Sequence, residues 1–345
     1  MEVKKLFKYR NIWMAIAIIW IMYRHSGFFI NNTIINAIKE IGYGGVDIFL
    51  FASGLGCYFS LSKNSNIETF IKKRFLKLMP TYWCFIVLWI VCEKIMGDIS
   101  FNDIIGNIFA IQNFTGNGND FNWYISALWL LYILAPYFMC LVKRIKKRKM
   151  FYIVELMLIL FSLSFWKSNT LIITITRIPI FFMGMYIAKI AEENNEKITN
   201  KKFLLLMLEF LLGIMLLILA YHFFSQRLWE FGLYWYPFLL ITPGLCLIIS
   251  YISYSAEKTK IGVFLLRILG FIGNHTFEIY LVHILIFNII RNLIQKQILH
   301  LDNNIIWLGA VLIVVIGCVA LNFFTKLVLK CTIKIREYLA FKNKI

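Results

Sequence analysis

Acidic side chains are scarce in this 345-residue chain: 18 Asp and Glu stand against 36 Lys and Arg, and charged types together make up only 16% of it. Five prolines and five histidines are also few for this length. No C-x-x-C pair occurs among Cys57, Cys84, Cys92, Cys140, Cys246, Cys318 and Cys331, and six of these fall in or at the edges of apolar runs. They read as small buried hydrophobes, without the regular spacing of a disulfide framework, metal site or redox centre. The patterns GxxxxGK[ST], HExxH, GxSxG and a GxGxxG between strand and helix are all missing. ATP-driven and metalloprotease chemistry therefore have no sequence basis, and no metal is expected. There is no internal repeat, no low-complexity tract and no separate soluble domain, so residues 1–345 read as one domain. No small-residue cleavage site follows the first apolar run, which is expected to be kept.

What is present is apolar surface. The chain is 60% hydrophobic and 17% aromatic, with a mean hydropathy of +0.74, which excludes a soluble globule. Apolar stretches at 12–30, 41–61, 75–97, 121–142, 150–166, 170–190, 203–224, 233–251, 276–294 and 304–330 predict an all-α, polytopic membrane helix bundle of about ten transmembrane helices. Threading the chain through them puts 28 of the 36 Lys and Arg on one side and six (Lys39, Lys94, Lys167, Arg227, Arg291, Lys296) on the other. By the positive-inside rule both termini are then cytoplasmic. The run KRIKKRK at 143–149 is explained as a topology signal touching anionic lipid. No aromatic-rich basic motif accompanies it, so the bilayer is a partner and nucleic acid is not. The segment 98–120, with Asp98, Asp103 and Asp120, contains DIIGNIFAIQNF, which has the spacing of an amphipathic surface helix; IGVFLLRILGFIG at 261–273 is similar.

Ionisable residues within apolar spans are costly and mark function. The run WMAIAIIWIMYRHSG at 13–27 ends in Arg24 and His25. With a rise of about 1.5 Å per residue across a core about 30 Å thick, His25, Asp47, Trp123, Ser126 and Arg177 fall at one outer level. Arg74 and Lys77 stand at the inner mouth of the third span, and Glu278 and His283 in the inner half of the ninth. His222 and His300 sit near outer boundaries and receive no role.

Six pieces in order resemble the acyltransferase-3 family, integral membrane acyltransferases that modify bacterial surface polysaccharides. They are AIAIIWIMYRHSG (15–27), GGVDIFLFASGLG (44–56), IKKRFLKLMPTYW (71–83), WYISALWLLYILAPYF (123–138), RIPIFFMGMYIAK (177–189) and IGNHTFEIYLVH (272–283). The resemblance implies about ten helices in a bacterial inner membrane. It also implies a cytoplasmic acyl-CoA donor, usually acetyl-CoA, and as acceptor a cell-surface glycan or its lipid-linked precursor. It maps the family's histidine onto His25, its basic cluster onto Lys72, Lys73, Arg74 and Lys77, and its Tyr-Leu-x-His onto residues 280–283. Met14 stands where the family commonly has an arginine; Arg10 lies one helical turn away and Arg24 is adjacent to His25.

Acyl transfer to a hydroxyl needs a base, and imidazole suits neutral pH. His25 is the expected catalytic residue, with Arg24 beside it. Asp47 either fixes its tautomer or caps a helix N-terminus. Arg74 and Lys77 either hold the phosphates of coenzyme A or serve as topology signals. Arg177 either binds substrate and a developing oxyanion or pairs with a buried carboxylate such as Glu155 or Glu209. Ser126 either donates to substrate or bonds its own backbone, and Trp123 either stacks on a sugar or belongs to an interfacial belt. Glu278 and His283 are placed at substrate, but five residues apart they do not form a direct pair; His283 either lines the donor channel or is a satisfied core histidine. A transporter or flippase of a lipid-linked glycan or small metabolite is the alternative reading.

Overall fold

The structure, a computed structural model, describes residues 7–97, 99–115, 123–165, 171–193, 199–224, 232–299 and 303–342. Asp98, Asp120, Lys167, Arg227 and His300 lie outside them. Among the described residues every regular element is helical. In chain order these are α1 (Arg10–His25), α2 (Thr33–Glu40), α3 (Gly45–Lys63), α4 (Ile67–Met96), α5 (Phe101–Phe109), α6 (Gln112–Thr115), α7 (Trp123–Arg144), α8 (Arg148–Leu163), α9 (Leu171–Ile175), α10 (Ile178–Glu193), α11 (Asn200–Phe224), α12 (Pro237–Ala256), α13 (Lys260–Asn274), α14 (Thr276–Gln295) and α15 (Asn303–Lys342). Short 3₁₀ turns at Phe7–Tyr9 and Ile41–Gly44 precede α1 and α3.

The bundle is polytopic: eight segments among the described residues are long and apolar enough to cross a membrane. The first and fifth expected spans are missing from the eight because α1 and α8 have 16 residues each. At about 1.5 Å per residue that is roughly 24 Å, short of a hydrocarbon core about 30 Å thick. The first expected span reached residue 30, but α1 stops at His25 and residues 27–30 are not helical. The chain restarts as α2 behind the N-cap Asn32, whose side chain accepts from the Ile35 N–H at 3.1 Å. Both expected surface helices form, as α5 and α13, and the apolar side chains Phe109, Ile261 and Phe264 are exposed on them.

The chain forms two compact units. The first comprises the described residues up to Arg24, those of Asn32–Ile71 and those of Ala110–Asn274. At its centre α3 packs against α10. Helix α3, with 14 of its 19 residues buried, is apolar all round, as a helix enclosed by others must be. Glycines set how closely the two approach. A β-carbon at Gly54 would run into the Phe181 carbonyl oxygen, and one at Gly184 into that of Phe51. With no hydrophobic force between helices in lipid, such small-residue contacts drive association. Helix α11 pairs with α12 and leaves Leu204, Leu208, Leu211 and Ile218 exposed, a surface suited to lipid.

The second unit comprises the described residues of His25–Asn31, Lys72–Phe109 and His275–Ile345. Helix α5 is fastened to α4 by Tyr82 Oη donating to Asn107 O at 2.6 Å and Trp83 Nε1 to Ile108 O at 3.0 Å. Helices α14 and α15 pack side by side, with Phe287 edge-on to Trp307 at 5.0 Å between ring centroids.

Candidate functional site

In the second unit, α14 carries Tyr280, His283, Phe287 and Arg291 on one face, because steps of three and four residues return to the same side of a helix. His25, half-buried at the last position of α1, lies edge-on to His283 with 5.5 Å between ring centroids. His283 is fully buried. Its Nδ1 is 3.0 Å from the Ile279 carbonyl oxygen, which can only accept, so Nδ1 carries the proton. Nε2 is left with its lone pair, buried and without a hydrogen bond among the described residues. The histidine is thus half-satisfied by its own helix, and its remaining nitrogen is a proton acceptor.

The backbone that follows His25 is held by side chains. Arg291 donates to the His25 carbonyl oxygen and to Asn288 Oδ1, the latter at 2.8 Å. Asn303 Nδ2 donates to Gly27 O at 2.7 Å, and Asn304 both donates to Phe29 O and accepts from Phe29 N at 3.1 Å. Trp307 donates to Asn303 Oδ1, and its indole occupies the place where a β-carbon on residue 27 would stand, which is why a glycine is needed there. Arg291, counted among the six charges of the opposite side, lies within α14. Asn303 and Asn304, at the start of α15, carried no sequence signal beyond their polarity at a helix N-terminus. Glu278, away from His283, accepts from Asn322 Nδ2 at 3.1 Å. Arg74 is half-buried and Lys77 exposed on α4.

In the first unit a buried ion pair stands where α10 is interrupted. The chain breaks helix at 176–177, between α9 and α10, and Arg177 sits in that break. Its Nε lies 3.3 Å from Asp47 Oδ1, with both side chains 2% exposed. The guanidinium also lies over two indoles, 4.4 Å from the ring centroid of Trp235 and 5.5 Å from that of Trp123. One ion pair does not exhaust this chemistry: Arg177 Nη1 and Asp47 Oδ2 are buried without a hydrogen bond among the described residues. Polar atoms left unmatched in a buried site are the ones a bound molecule can satisfy.

Several alternatives are thereby resolved. Asp47 is not a helix cap, since Gly44 holds that position without a side-chain bond. The carboxylate beside Arg177 is Asp47 rather than Glu155 or Glu209. Glu209 pairs with Arg148 at 3.4 Å, and Glu155 is buried with neither oxygen hydrogen-bonded among the described residues. Ser126 donates to the carbonyl of Ala110. Trp123 faces a cation. Arg24 makes an exposed pair with Glu40 at 3.3 Å, and Arg10 lies beside Gly56.

Buried ionisable side chains within apolar helices define a multi-pass integral membrane protein with a polar working site, the mark of membrane enzymes and transporters. A family model described as an acyltransferase domain matches residues 11–323, nearly the whole chain. The chain belongs to the acyltransferase-3 family and is a membrane acyltransferase. No curated protein and no solved structure matches it.

Proposed function

We propose that the protein transfers an acyl group, acetyl in the first instance, from cytoplasmic acyl-CoA to a hydroxyl of a cell-surface glycan or its lipid-linked precursor. The observation that carries the reading is the His25–His283 contact, with an unmatched lone pair on a buried imidazole, in a chain of an acyltransferase family. In this mechanism His25 takes the proton from the acceptor hydroxyl, whose oxygen attacks the thioester carbonyl carbon. The carbon–sulfur bond breaks, and the proton passes to the departing thiolate to give free coenzyme A. In the first unit, Arg177, with polar capacity left beyond Asp47, holds the acceptor, and Trp123 and Trp235 offer faces to a sugar. Arg74 and Lys77 hold the donor's phosphates, and Arg24, Ser126 and Glu278 line the path of donor and acceptor. The charge distribution favours cytoplasmic termini, and the family's work on bacterial surface polysaccharides favours a bacterial inner membrane.

The test compares O-acetyl signals of the surface polysaccharide by NMR in cells carrying the wild-type gene, no gene, or His25→Ala. Loss of the same signals in the last two supports the reading. Unchanged acetylation in the His25→Ala strain, with the protein in the membrane, overturns it.

A further inference from the structure

A cavity of about 480 Å³ opens in the first unit among α8, α10, α11 and α12, away from the residues given roles above. Its size falls within the roughly 300–1,000 Å³ of small-molecule sites. Its lining divides by exposure. Trp13, Phe51, Phe151 and Leu239 are buried, and Met183 and Leu206 half-buried. Phe151 stacks on Tyr186, 4.0 Å between centroids and 7° between planes, which makes that wall flat and rigid. Its exposed part carries charge: among the described residues Lys146, Arg148 and Lys202, with the buried Lys189, line the cavity against Glu193 and Glu209.

These charges are not equivalent. Lys189 is buried and its ammonium is taken up by the carbonyls of Val142, at 3.1 Å, and Ile145, at 2.6 Å, so it closes the end of α7. Arg148 shares its charge with Glu209 and hydrogen-bonds Tyr152 Oη at 2.8 Å, which orients its guanidinium at the rim. Lys146 and Lys202 are exposed. The rim therefore carries a cationic excess, one member of which is a fixed guanidinium able to take a phosphate by paired N–H donors.

We propose that this cavity binds an anionic phospholipid of the surrounding bilayer, its phosphate on Arg148, Lys146 and Lys202 and one acyl chain along the apolar wall. Basic pockets between membrane helices are sites for such headgroups. The walls decide between a lipid chain and the amide-bearing arm of coenzyme A. Below the charged rim they offer almost only hydrocarbon, and the indole N–H of Trp13 is taken by Ser250 Oγ at 2.9 Å. Buried amides would lack partners there, whereas a hydrocarbon chain needs none. Helix α11, which supplies Leu205 and Leu206 to the cavity, exposes Leu204, Leu208 and Leu211, so the site adjoins the lipid phase.

The test offers purified wild-type protein equal phosphatidylglycerol and phosphatidylcholine in detergent and reads retained lipid by native mass spectrometry. One retained phosphatidylglycerol, preferred at least tenfold, is expected. Lys146→Ala with Lys202→Ala should cut that preference severalfold, and Leu206→Trp, which fills the cavity, should abolish retention. Equal retention of phosphatidylcholine overturns the proposal, as does full retention by a folded Leu206→Trp protein or one-for-one displacement of the lipid by acetyl-CoA. A second measurement needs no cavity variant: phosphatidylglycerol brominated on its chain should quench the wild type more than Trp13→Phe. Equal quenching of the two places the chain elsewhere and also overturns the proposal.

Discussion

The guanidinium of Arg291 donates a hydrogen bond to the main-chain carbonyl oxygen of His25, 266 residues earlier. That carbonyl ends α1, where a helix presents unmatched oxygens and partial negative charge, so a cation there is favoured. The contact fixes the backbone from which the His25 imidazole projects. Charge-assisted bonds of this kind contribute about 1.5–3 kcal/mol. Arg291→Ala is therefore expected to lower kcat for acyl transfer about ten- to a hundredfold with little change in KM for the donor, and Arg291→Lys to restore part of it. A uniform loss of folded protein in both variants would instead assign Arg291 to stability alone.

His283→Phe keeps a ring of similar shape against His25, Tyr280 and Phe287 while deleting the unmatched nitrogen. If that nitrogen moves a proton, transfer falls by about a hundredfold, the lower range for general acid–base groups. Full activity of the phenylalanine variant in reconstituted membranes would make it a core ring.

The Asp47–Arg177 pair separates stability from activity. Asp47→Ala strands a buried guanidinium, which costs about 3–5 kcal/mol, whereas replacing both partners by apolar residues is close to neutral. Thermal unfolding in detergent should show Asp47→Ala strongly destabilised and the double variant Asp47→Leu with Arg177→Met near wild type. The double variant is expected to remain inactive. Acyl transfer by it would show that the pair is structural only.

Gly54→Val inserts methyl groups where α3 meets the Phe181 carbonyl of α10. Backbone cannot turn aside as a side chain does, so the two helices must separate. A loss of about 1–3 kcal/mol, the usual effect of overpacking, should appear as a lowered Tm.

Outside the membrane-spanning segments, Glu257 accepts from Lys8 at 2.9 Å. The ammonium's hydrogen bond holds its carboxyl below the usual range, despite an opposing contribution from burial. A depressed folded-state pKa gives stability that is complete above the ordinary carboxylate range and lost as pH falls through and below it. Both groups are substantially solvated, so the contribution stays under about 1 kcal/mol. Lys8→Ala should lower the Tm slightly at pH 7 and leave it unchanged near pH 3; an equal deficit at both would remove the ion pair as its cause.

Eight of the ten expected spans and the two surface helices were legible because a bilayer forces apolar length, and the ionisable residues stood out because buried charge is expensive. Pairings were less so. Counting along helices put His25 in the outer half and His283 in the inner half, yet their rings lie 5.5 Å apart, because a count ignores where a helix stops and how it tilts. Nor does it give the direction of a side chain, so Asp47 and Arg177 fell at one level without being recognised as partners. The clamp around residues 25–29 was hidden for another reason. Arg291, Asn303 and Asn304 are ordinary polar residues near helix ends, and only the path of the non-helical segment after α1 turns them into a binding surface for its backbone.

That clamp orders events during synthesis. The ribosome completes His25 some 266 residues before the arginine that holds its carbonyl. The growing polypeptide cannot set its histidine until α14 has been made and has entered the membrane. Chains truncated before α14 would carry the histidine without the means to hold it.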